Sequence, residues 1–296
     1  MNLSKGPAAP NTARSLIVTA DDFGVSREVN AGVISAFRDG VLTGTSLMVA
    51  GSASIEAAEL AKQHPGLDVG LHLVLTRGCS VLPPDRLGGI TDAAWRFADK
   101  PTAAGMRYFF DRRIRTYLRD EIRAQIEKHL QLIGRLHHLD GHLNIHVHPV
   151  VGQILMELAG EYRLKCMRLP REPVLTTLRL AHDHAARKLL ESVIFRALSR
   201  RMYRMMTARG IRTTDWLFGL HQTGHVTEDY VAGVIARLKP GSTEMYFHPA
   251  ASLRSPLPRS AAEMELEILT SDRMRAAVMK AAVRLTNFAE IAPEVA

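Results

Sequence analysis

The stretch "LIVTADDFG" (residues 16–24) places two adjacent carboxylates, Asp21 and Asp22, directly after an apolar run. The apolar run predicts a short buried strand over residues 15–20. Two neighbouring negative charges where such a strand ends fit either a turn that caps the next helix or a functional site. Metal-binding and proton-transferring side chains at the ends of later strands would favour the functional site.

The size and composition fit a globular protein with a large core. The chain has 296 residues, 46% of them hydrophobic, which suits one large α/β domain or two smaller ones. Residues 1–14 are polar and rich in Pro and Ala, so we expect a disordered tail followed by a single domain over 15–296. No apolar run is long enough to span a bilayer. Two cysteines, Cys79 and Cys166, cannot form a disulfide framework, so we expect a cytoplasmic protein.

Strand-like and helix-like segments alternate along this domain. The first strand is followed by a predicted helix that starts after Ser26 and stops at Gly40. Another apolar strand is predicted over 68–75, and apolar residues at helical spacing predict a helix over 117–133. Residues 77–111 lack a clear period and predict an inserted loop. Alternation of this kind favours an α/β fold with a parallel sheet or a (β/α) barrel.

The net charge of +8 implies anionic partners, and much of it lies in a helical region over about 185–212. Between Arg187 and Arg212 the chain has eight basic residues and one acid, Glu191, with apolar residues interleaved. This pattern predicts either a basic amphipathic helix that touches an anionic membrane surface or an ordinary helix with a solvated basic face. The chain has no zinc finger, RNP-like motif or glycine-rich phosphate loop, so we expect no nucleic-acid partner. A homo-oligomer remains open.

Acidic, basic and imidazole side chains recur at predicted strand ends, where parallel α/β folds gather their functional residues. These residues are Asp21, Asp22, His72, His142, His146, His148, Arg168 and His248. Burying them without partners would cost several kcal/mol each, and a metal ion supplies such a partner. We expect His137 and His138, by contrast, at the surface or in a turn.

One carboxylate and two imidazoles would leave coordination positions open for water and substrate, as in a catalytic site. The neighbouring carboxylate could then accept a proton from the attacking water, because adjacent side chains diverge where a strand ends. Period-2 alternation would put His142 and His146 on one face, so the spacing permits either as a ligand. Imidazole favours zinc, with Mg, Mn or Co as alternatives.

Six motifs, in order, carry a family resemblance: "TADDFG", "GLHL", "DGHLNIHVHP", "RLP", "TDWLFG" and "FHPA". Over residues 15–291 the chain resembles the YdjC-like carbohydrate deacetylases. The combination of "SLMVAG", "VGLHLVL" and "VLPP" is most similar to the branch associated with hopanoid biosynthesis. The resemblance implies a deformed (β/α) barrel, similar to polysaccharide deacetylases, and metal-dependent removal of an N-acetyl group from an amino sugar. For the hopanoid branch it implies a lipid-linked substrate, N-acetylglucosaminyl bacteriohopanetetrol.

The resemblance also implies residue roles. The metal-binding acid falls on Asp22 and the ligand histidines on His72 and His142. The catalytic base falls on Asp21, and the late histidine on His248. The chain departs from the family at Asn144, where relatives carry His, and at Ala250, where they carry Gly.

A mechanism follows as a hypothesis. A divalent metal would polarise the acetamide carbonyl, Asp21 would take the proton of the attacking water, and His248 would protonate the leaving amine. Arg168 either orients Asp21 or forms a plain surface ion pair. Asp215, Trp216 and Phe218 are candidates for substrate binding: Asp215 through a sugar hydroxyl, the aromatic residues through the sugar face or, alternatively, as core.

Other classes of function remain open. Asp and His ligands also suit a metal-dependent phosphoesterase, and a soluble chito-oligosaccharide is an alternative substrate for a deacetylase. A non-catalytic lipid- or sugar-binding protein could keep the same fold, and it would not depend on metal. A glycoside hydrolase is less favoured, because its two carboxylates sit on opposite sides of the sugar rather than as neighbours in sequence.

Overall fold

A computed structural model of the chain describes residues 13–252 and 260–292. The strands are β1 Arg14–Phe23, β2 Gly44–Leu47, β3 Asp68–Leu73, β4 His138–Gly141, β5 Cys166–Met167, β6 Trp216–Phe218, β7 Gly241–Phe247 and β8 Arg284–Leu285. The α-helices are α1 Arg27–Asp39, α2 Ser54–Gln63, α3 Pro101–Phe110, α4 Arg115–Ile133, α5 Pro149–Leu158, α6 Val174–Leu180, α7 Ala185–Thr207, α8 Glu228–Ile235, α9 Ala261–Thr270, α10 Asp272–Lys280 and α11 Phe288–Ile291. Short 3-10 segments cover Pro84–Arg86, Arg112–Ile114 and His142–Val147.

The strands form one parallel sheet in the order β5-β4-β3-β2-β1-β7-β6, with β8 paired to the start of β1. Every strand pairing is parallel, so the predicted α/β fold of parallel strands is confirmed. The sheet curls towards a barrel, because the chain just before β6 pairs with β5. There the amide of Met167 donates to the carbonyl of Arg212 at 3.0 Å.

The central strand β1 is buried on both faces, as a parallel strand between two layers of helices should be. Residues from Leu16 to Ala20 are fully buried. Helix α1 then begins as predicted, because the Ser26 side chain accepts a hydrogen bond from the amide of Val29, and it ends at Gly40. The predicted tail over 1–14 lies outside the described residues as far as residue 12, and β1 already includes Arg14.

The prediction of an inserted loop over 77–111 is wrong for its last third, which forms helix α3. Pro101 occupies the first turn, where a missing N–H costs nothing. Only Ala104 and Tyr108, four residues apart, face the core, whereas Phe109 and Phe110 are exposed. The helix therefore has no broad apolar stripe, which is why periodicity did not reveal it.

The expectation that His138 lies at the surface is also wrong. His138 begins β4, is fully buried, and stacks on Phe288 with ring centroids 4.2 Å apart. Its neighbour His137 is partly exposed and contacts Asp68 through Nδ1 at 2.6 Å. A strand in the middle of a parallel sheet is buried on both sides, so even a polar side chain there goes into the interior.

Candidate active site

A bulge at the carboxyl end of β1 turns Asp21 and Asp22 in different directions. From Ala20 to Phe23, β1 advances three residues while its partner β2 advances two. Asp22 adopts a left-handed backbone conformation, with φ of 65°, which Asp tolerates better than most residues. Gly24 follows with φ of +90°, a conformation that suits glycine. The divergence expected for two residues at a strand end is thus built into the backbone.

Asp22 lies against two of the predicted ligands. Its Oδ1 atom is 3.0 Å from Nδ1 of His142 and 3.2 Å from Nε2 of His72. The ligand atoms of all three residues lie within 4.8 Å of one another. His72 comes from β3, which lies two strands from β1, and His142 follows β4. The structure therefore brings together the acid and the two histidines that the sequence predicted as ligands.

The donor atoms of this cluster fit a metal ion. Nδ1 of His72 is 2.7 Å from Oδ1 of Asp140 and 3.0 Å from the hydroxyl of Ser46. The Asp140 carboxylate can only accept, so it favours the tautomer with the proton on Nδ1. Nε2 of His72 is then a buried lone pair that faces the Asp22 carboxylate at 3.2 Å. Two acceptors this close need a proton or a metal ion between them, so the cluster can hold a cation.

The charges around the cluster also favour a cation. Three carboxylates, Asp21, Asp22 and Asp140, lie around the cluster, and Arg168 contacts two of them, Asp21 and Asp140. Burial raises the pKa of Asp22, but hydrogen bonds from His142 and His72 outweigh it and hold that pKa well below its usual range. Burial opposes the charged form of His72, yet Asp140 and the other acids raise its pKa to about 10. A divalent cation would take the place of that proton and balance the charge.

Asp21 is held separately, by a buried arginine. Arg168 Nη1 donates to Oδ2 of Asp21 at 2.6 Å, and Nη2 donates to Oδ1 at 2.8 Å. The same guanidinium lies 2.9 Å from Asp140 and 2.7 Å from Glu244, and it covers the Tyr246 ring at 4.4 Å. Arg168 is 1% exposed, so the alternative of a surface ion pair is wrong. The geometry is that of a clamp that fixes the orientation of the Asp21 carboxylate.

His248 follows the carboxyl end of β7, the strand beside β1. The register pairs Ala20 with Phe247, so the next residues along the two strands are Asp21 and His248. The His248 amide donates to Glu265 at 2.5 Å, and the imidazole packs edge-on against Tyr246 with centroids 5.8 Å apart. His248 is half-buried and lies on the same edge of the sheet as Asp21 and Asp22.

The chain after β4 is not a strand, so the predicted alternation of His142 and His146 on one face is wrong. β4 ends at Gly141, and His142–Val147 forms 3-10 turns. Leu143 and Asn144 have φ of 53° and 57°, both left-handed. Because of these turns, the imidazoles of His142 and His146 point in different directions and have different partners. Oδ1 of Asn144 has no hydrogen-bond partner among the residues that the structure describes.

Neither of the other two histidines of this motif reaches the cluster. His146 is fully buried and its Nε2 lies 3.0 Å from the carbonyl of Arg168. Burial lowers the pKa of His146 to about 4, which keeps the ring neutral. His148 caps helix α5, since its Nδ1 accepts from the amide of Val150 at 3.3 Å. Both therefore have structural contacts, and His142 is the histidine of this motif beside Asp22.

The structure does not bring Asp215, Trp216 and Phe218 to the cluster. Asp215 accepts from the amide and hydroxyl of Ser242 at 2.8 and 3.0 Å, at the amino ends of β6 and β7. Trp216 begins β6 and lies under Lys239, whose Nζ is 4.4 Å from the ring centroid. Phe218 is buried in the core, which was the stated alternative. Asp215 and Trp216 stand at the start of β6, so they lie away from the carboxyl edge of the sheet.

Two functional candidates escaped the sequence-based reasoning: Asp140, which contacts both His72 and Arg168, and Glu244, which contacts Arg168 and Thr19. Asp140 lies one residue before the end of β4, so, like Asp21, it is an acid near the carboxyl end of a strand. Glu244 interrupts the apolar part of β7, where it is fully buried. A charged residue inside a central strand signals a buried ionic partner.

Replacing Asp140 by asparagine tests the fit to a metal. Asparagine keeps an oxygen for the Nδ1–H of His72 but loses the charge that fixes the tautomer, so metal affinity should fall about 10- to 100-fold. Competition with a chelating dye measures that affinity, and the melting temperature is recorded because Asp140 also contacts Arg168. Asp272→Asn, on a side chain that is 98% exposed, is the matched control. Unchanged affinity in Asp140→Asn would contradict the proposed arrangement.

Comparison with known proteins assigns the chain to a family. The sequence profile described as "YdjC-like protein" matches residues 15–280, which include every residue of the cluster. The chain belongs to the YdjC-like family. A carbohydrate deacetylase of Geobacillus stearothermophilus is 30% identical over 94% of this chain and 98% of its own length. A chitooligosaccharide deacetylase of Salmonella agona is 33% identical over 57% of this chain and 65% of its own length.

The fold is shared with a solved structure. A protein of Enterococcus faecalis V583, described as a candidate cellobiose-phosphate cleavage protein, superposes with a TM-score of 0.71. The alignment covers 95% of this YdjC-like chain and 99% of that one, with 24% sequence identity. At this level of identity the likeness concerns the fold.

Proposed function

We propose that the protein is a metal-dependent N-deacetylase that removes the acetyl group from an N-acetylglucosamine-type sugar. The coarser assignment, a carbohydrate deacetylase, follows from the family and from the relatives of that name. The observation that carries the finer proposal is the pair at the end of β1: Asp22 lies between two imidazoles, while Asp21 beside it is clamped by Arg168. In this proposal Asp22 binds the cation, while Asp21 is held by Arg168 for proton transfer.

Asp22, His72 and His142 would hold the metal, and Asp140 would orient His72. When bound, a divalent cation at this position supplies a Lewis acid for the acetamide carbonyl and lowers the pKa of water. Zinc suits one carboxylate and two imidazoles, and Mg, Mn or Co are alternatives.

The remaining residues would move protons. Asp21 accepts the proton of the attacking water, and the bidentate contact with Arg168 keeps its carboxylate in one orientation. His248, next to Asp21 across β1 and β7, donates a proton to the nitrogen as the C–N bond breaks. The products are acetate and a free amino sugar, so water is the only co-substrate. Arg168 acts here as a positioning residue, since it contacts Asp21 rather than substrate.

For the substrate, we propose a lipid-linked sugar, N-acetylglucosaminyl bacteriohopanetetrol, with a chito-oligosaccharide as the second candidate. The motifs "SLMVAG", "VGLHLVL" and "VLPP" support the first, through their resemblance to the hopanoid branch. The relative named chitooligosaccharide deacetylase supports the second. The first motif overlaps the end of β2 and contains Ser46, whose hydroxyl is 3.0 Å from Nδ1 of His72, and the second contains His72 itself.

Metal removal and substrate comparison test this function together. Protein stripped with a chelator should release no acetate, and a stoichiometric divalent ion, with zinc tested first, should restore the rate. Acetate release is then measured on chitobiose, chitotriose and the N-acetylglucosaminyl hopanoid, with release of phosphate from 4-nitrophenyl phosphate as the control reaction. Acetate from the hopanoid alone supports the lipid-linked substrate, and acetate from the short oligosaccharides alone overturns it. Phosphate without acetate would instead assign a phosphoesterase.

A further inference from the structure

Helices α6 and α7 present large apolar side chains to solvent. On α7, Leu189, Leu190, Val193 and Ile194 are 46%, 63%, 68% and 49% exposed. Leu175 on α6 is 64% exposed. The four α7 residues are spaced one, three and four apart, so they share one side of that helix. We call these five residues the α6–α7 apolar face. Exposed apolar side chains grouped in this way mark an interaction site.

This face lies on the same side of the sheet as the Asp22 cluster. The hydroxyl of Ser199 donates to the carbonyl of Pro170, just beyond the carboxyl end of β5, at 3.1 Å. Glu191 contacts His221, which follows the carboxyl end of β6, at 3.4 Å. Helix α7 is thereby fixed at the carboxyl edge of the sheet, near which Asp22 lies in β1.

Arginines surround the apolar face, although fewer than the sequence predicted. Of the eight basic residues between 187 and 212, Lys188 is buried beside Asp183 at 2.8 Å. Arg209 and Arg212 bind backbone carbonyls of Met156 and Ile291. Of the other five, Arg187 pairs with Glu191 and Arg201 donates to the carbonyl of Pro149. The three that remain have no ion pair with any described residue, and neither has Arg179 on α6. These three are Arg196, Arg200 and Arg204.

A cleft of about 730 Å³ opens between α6 and α7, and its lining has four basic residues, Arg171, Arg179, Arg196 and Lys239, against two acids, Glu172 and Asp215. Arg179 and Arg196 line it together with Leu175 of the apolar face. Phe195 and Trp216 form the aromatic part of its wall. An arginine-lined cleft that borders an apolar face offers space for an anionic headgroup next to residues that would contact acyl chains.

We propose that the α6–α7 apolar face and its arginines dock the protein on an anionic lipid bilayer. Helices that lie in a membrane interface combine an apolar side with Lys or Arg that attract anionic lipids, and α7 has both. Among the described residues, no helix is long and apolar enough to cross a membrane. The contact is therefore peripheral. It holds the carboxyl edge of the sheet towards the lipid, where a lipid-linked sugar would be presented.

Charge complementarity favours a bilayer over the other candidate occupants. In a symmetric contact between two copies, Arg196, Arg200 and Arg204 would face their own counterparts. The segment 171–207 offers only three acids to offset its eight basic residues, and Glu172 among them is buried. Nucleic acid would match the arginines but would leave Leu190 and Val193 without apolar partners. An anionic lipid surface satisfies both features.

Co-sedimentation of the full chain with vesicles tests this contact, with no need for activity. Vesicles of phosphatidylglycerol and phosphatidylcholine are compared with vesicles of phosphatidylcholine alone, at low and at high salt. We expect binding to the anionic vesicles that weakens as salt increases. The double change Leu190→Ser, Val193→Ser should weaken it at least about tenfold. Arg196→Gln with Arg200→Gln should weaken it about as much and remove most of the salt dependence.

Met279→Ser is the matched control, since Met279 is 80% exposed on α10, away from α6 and α7. All of these side chains are exposed, so the variants should melt at the temperature of the natural chain. Equal binding by all variants, or no binding to anionic vesicles, overturns the proposal. A dimer that the Leu190 and Val193 changes dissociate, without vesicle binding, would assign the face to a second copy of the chain. The deacetylase proposal is tested separately, by acetate release from soluble substrates.

Discussion

Replacing Asp22 by asparagine is expected to remove the metal and with it the activity. Among the three predicted ligands, Asp22 is the only one with a negative charge, and its Oδ1 contacts both histidines. Asparagine has nearly the same size and also tolerates the left-handed φ of 65° at this position, so the backbone should not change. We expect metal affinity to fall at least about 100-fold and acetate release at least about 1,000-fold.

The metal content of dialysed protein and the rate of acetate release measure the two effects. Asp272→Asn again serves as the control, because it makes the same chemical change at an exposed position. The thermal melting curve without metal should shift downward for Asp22→Asn, because the variant loses the ionised carboxylate that the two imidazoles stabilise in the folded chain. An Asp22→Asn protein that keeps one metal ion per chain and full activity would remove the basis of the proposed site.

The fold could be predicted from the sequence because its elements are regular. Strand β1, helix α1 and helix α4 follow clear periodicity, and Ser26 and Gly40 mark the ends of α1 as capping rules require. Helix α3 could not be predicted, since only two of its residues face the core. The 3-10 turns after Gly141 depend on left-handed residues that are not glycine, and single-sequence patterns do not reveal such conformations.

The candidate site, too, could be predicted only in part. Asp22 and His72 stand at or near the ends of apolar strands, so the position of the strand was enough to place them. The choice of His142 over His146 depends on tertiary turns after β4, and the spacing alone could not decide it. The sequence alone could not decide whether Arg168 orients Asp21 or forms a surface ion pair, because it does not identify the three acidic neighbours of this arginine. Those neighbours come from β1, β4 and β7, and only the order of strands in the sheet brings them together.

Replacing Asp21 by asparagine should abolish turnover while leaving the metal in place. Asp21 is clamped by Arg168, and Asp22, not Asp21, contacts both His72 and His142. An amide cannot take the proton of the attacking water, so kcat should fall by about 100- to 10,000-fold. KM and metal content should stay close to those of the natural chain. Equal loss of metal would contradict the separate roles of the two carboxylates.

A purely structural role for Asp21 predicts a different result, and Glu244→Gln distinguishes the two. Glu244 is also buried and also contacts Arg168, at 2.7 Å, and it too is a carboxylate that the change makes neutral. Each change leaves Arg168 with one charged partner fewer, at a cost of order 1–3 kcal/mol in stability. If Asp21 acts as the base, Asp21→Asn loses activity far beyond Glu244→Gln at the same loss of stability. If Asp21 only holds Arg168, the loss of activity in each variant should be in proportion to the decrease in its melting temperature.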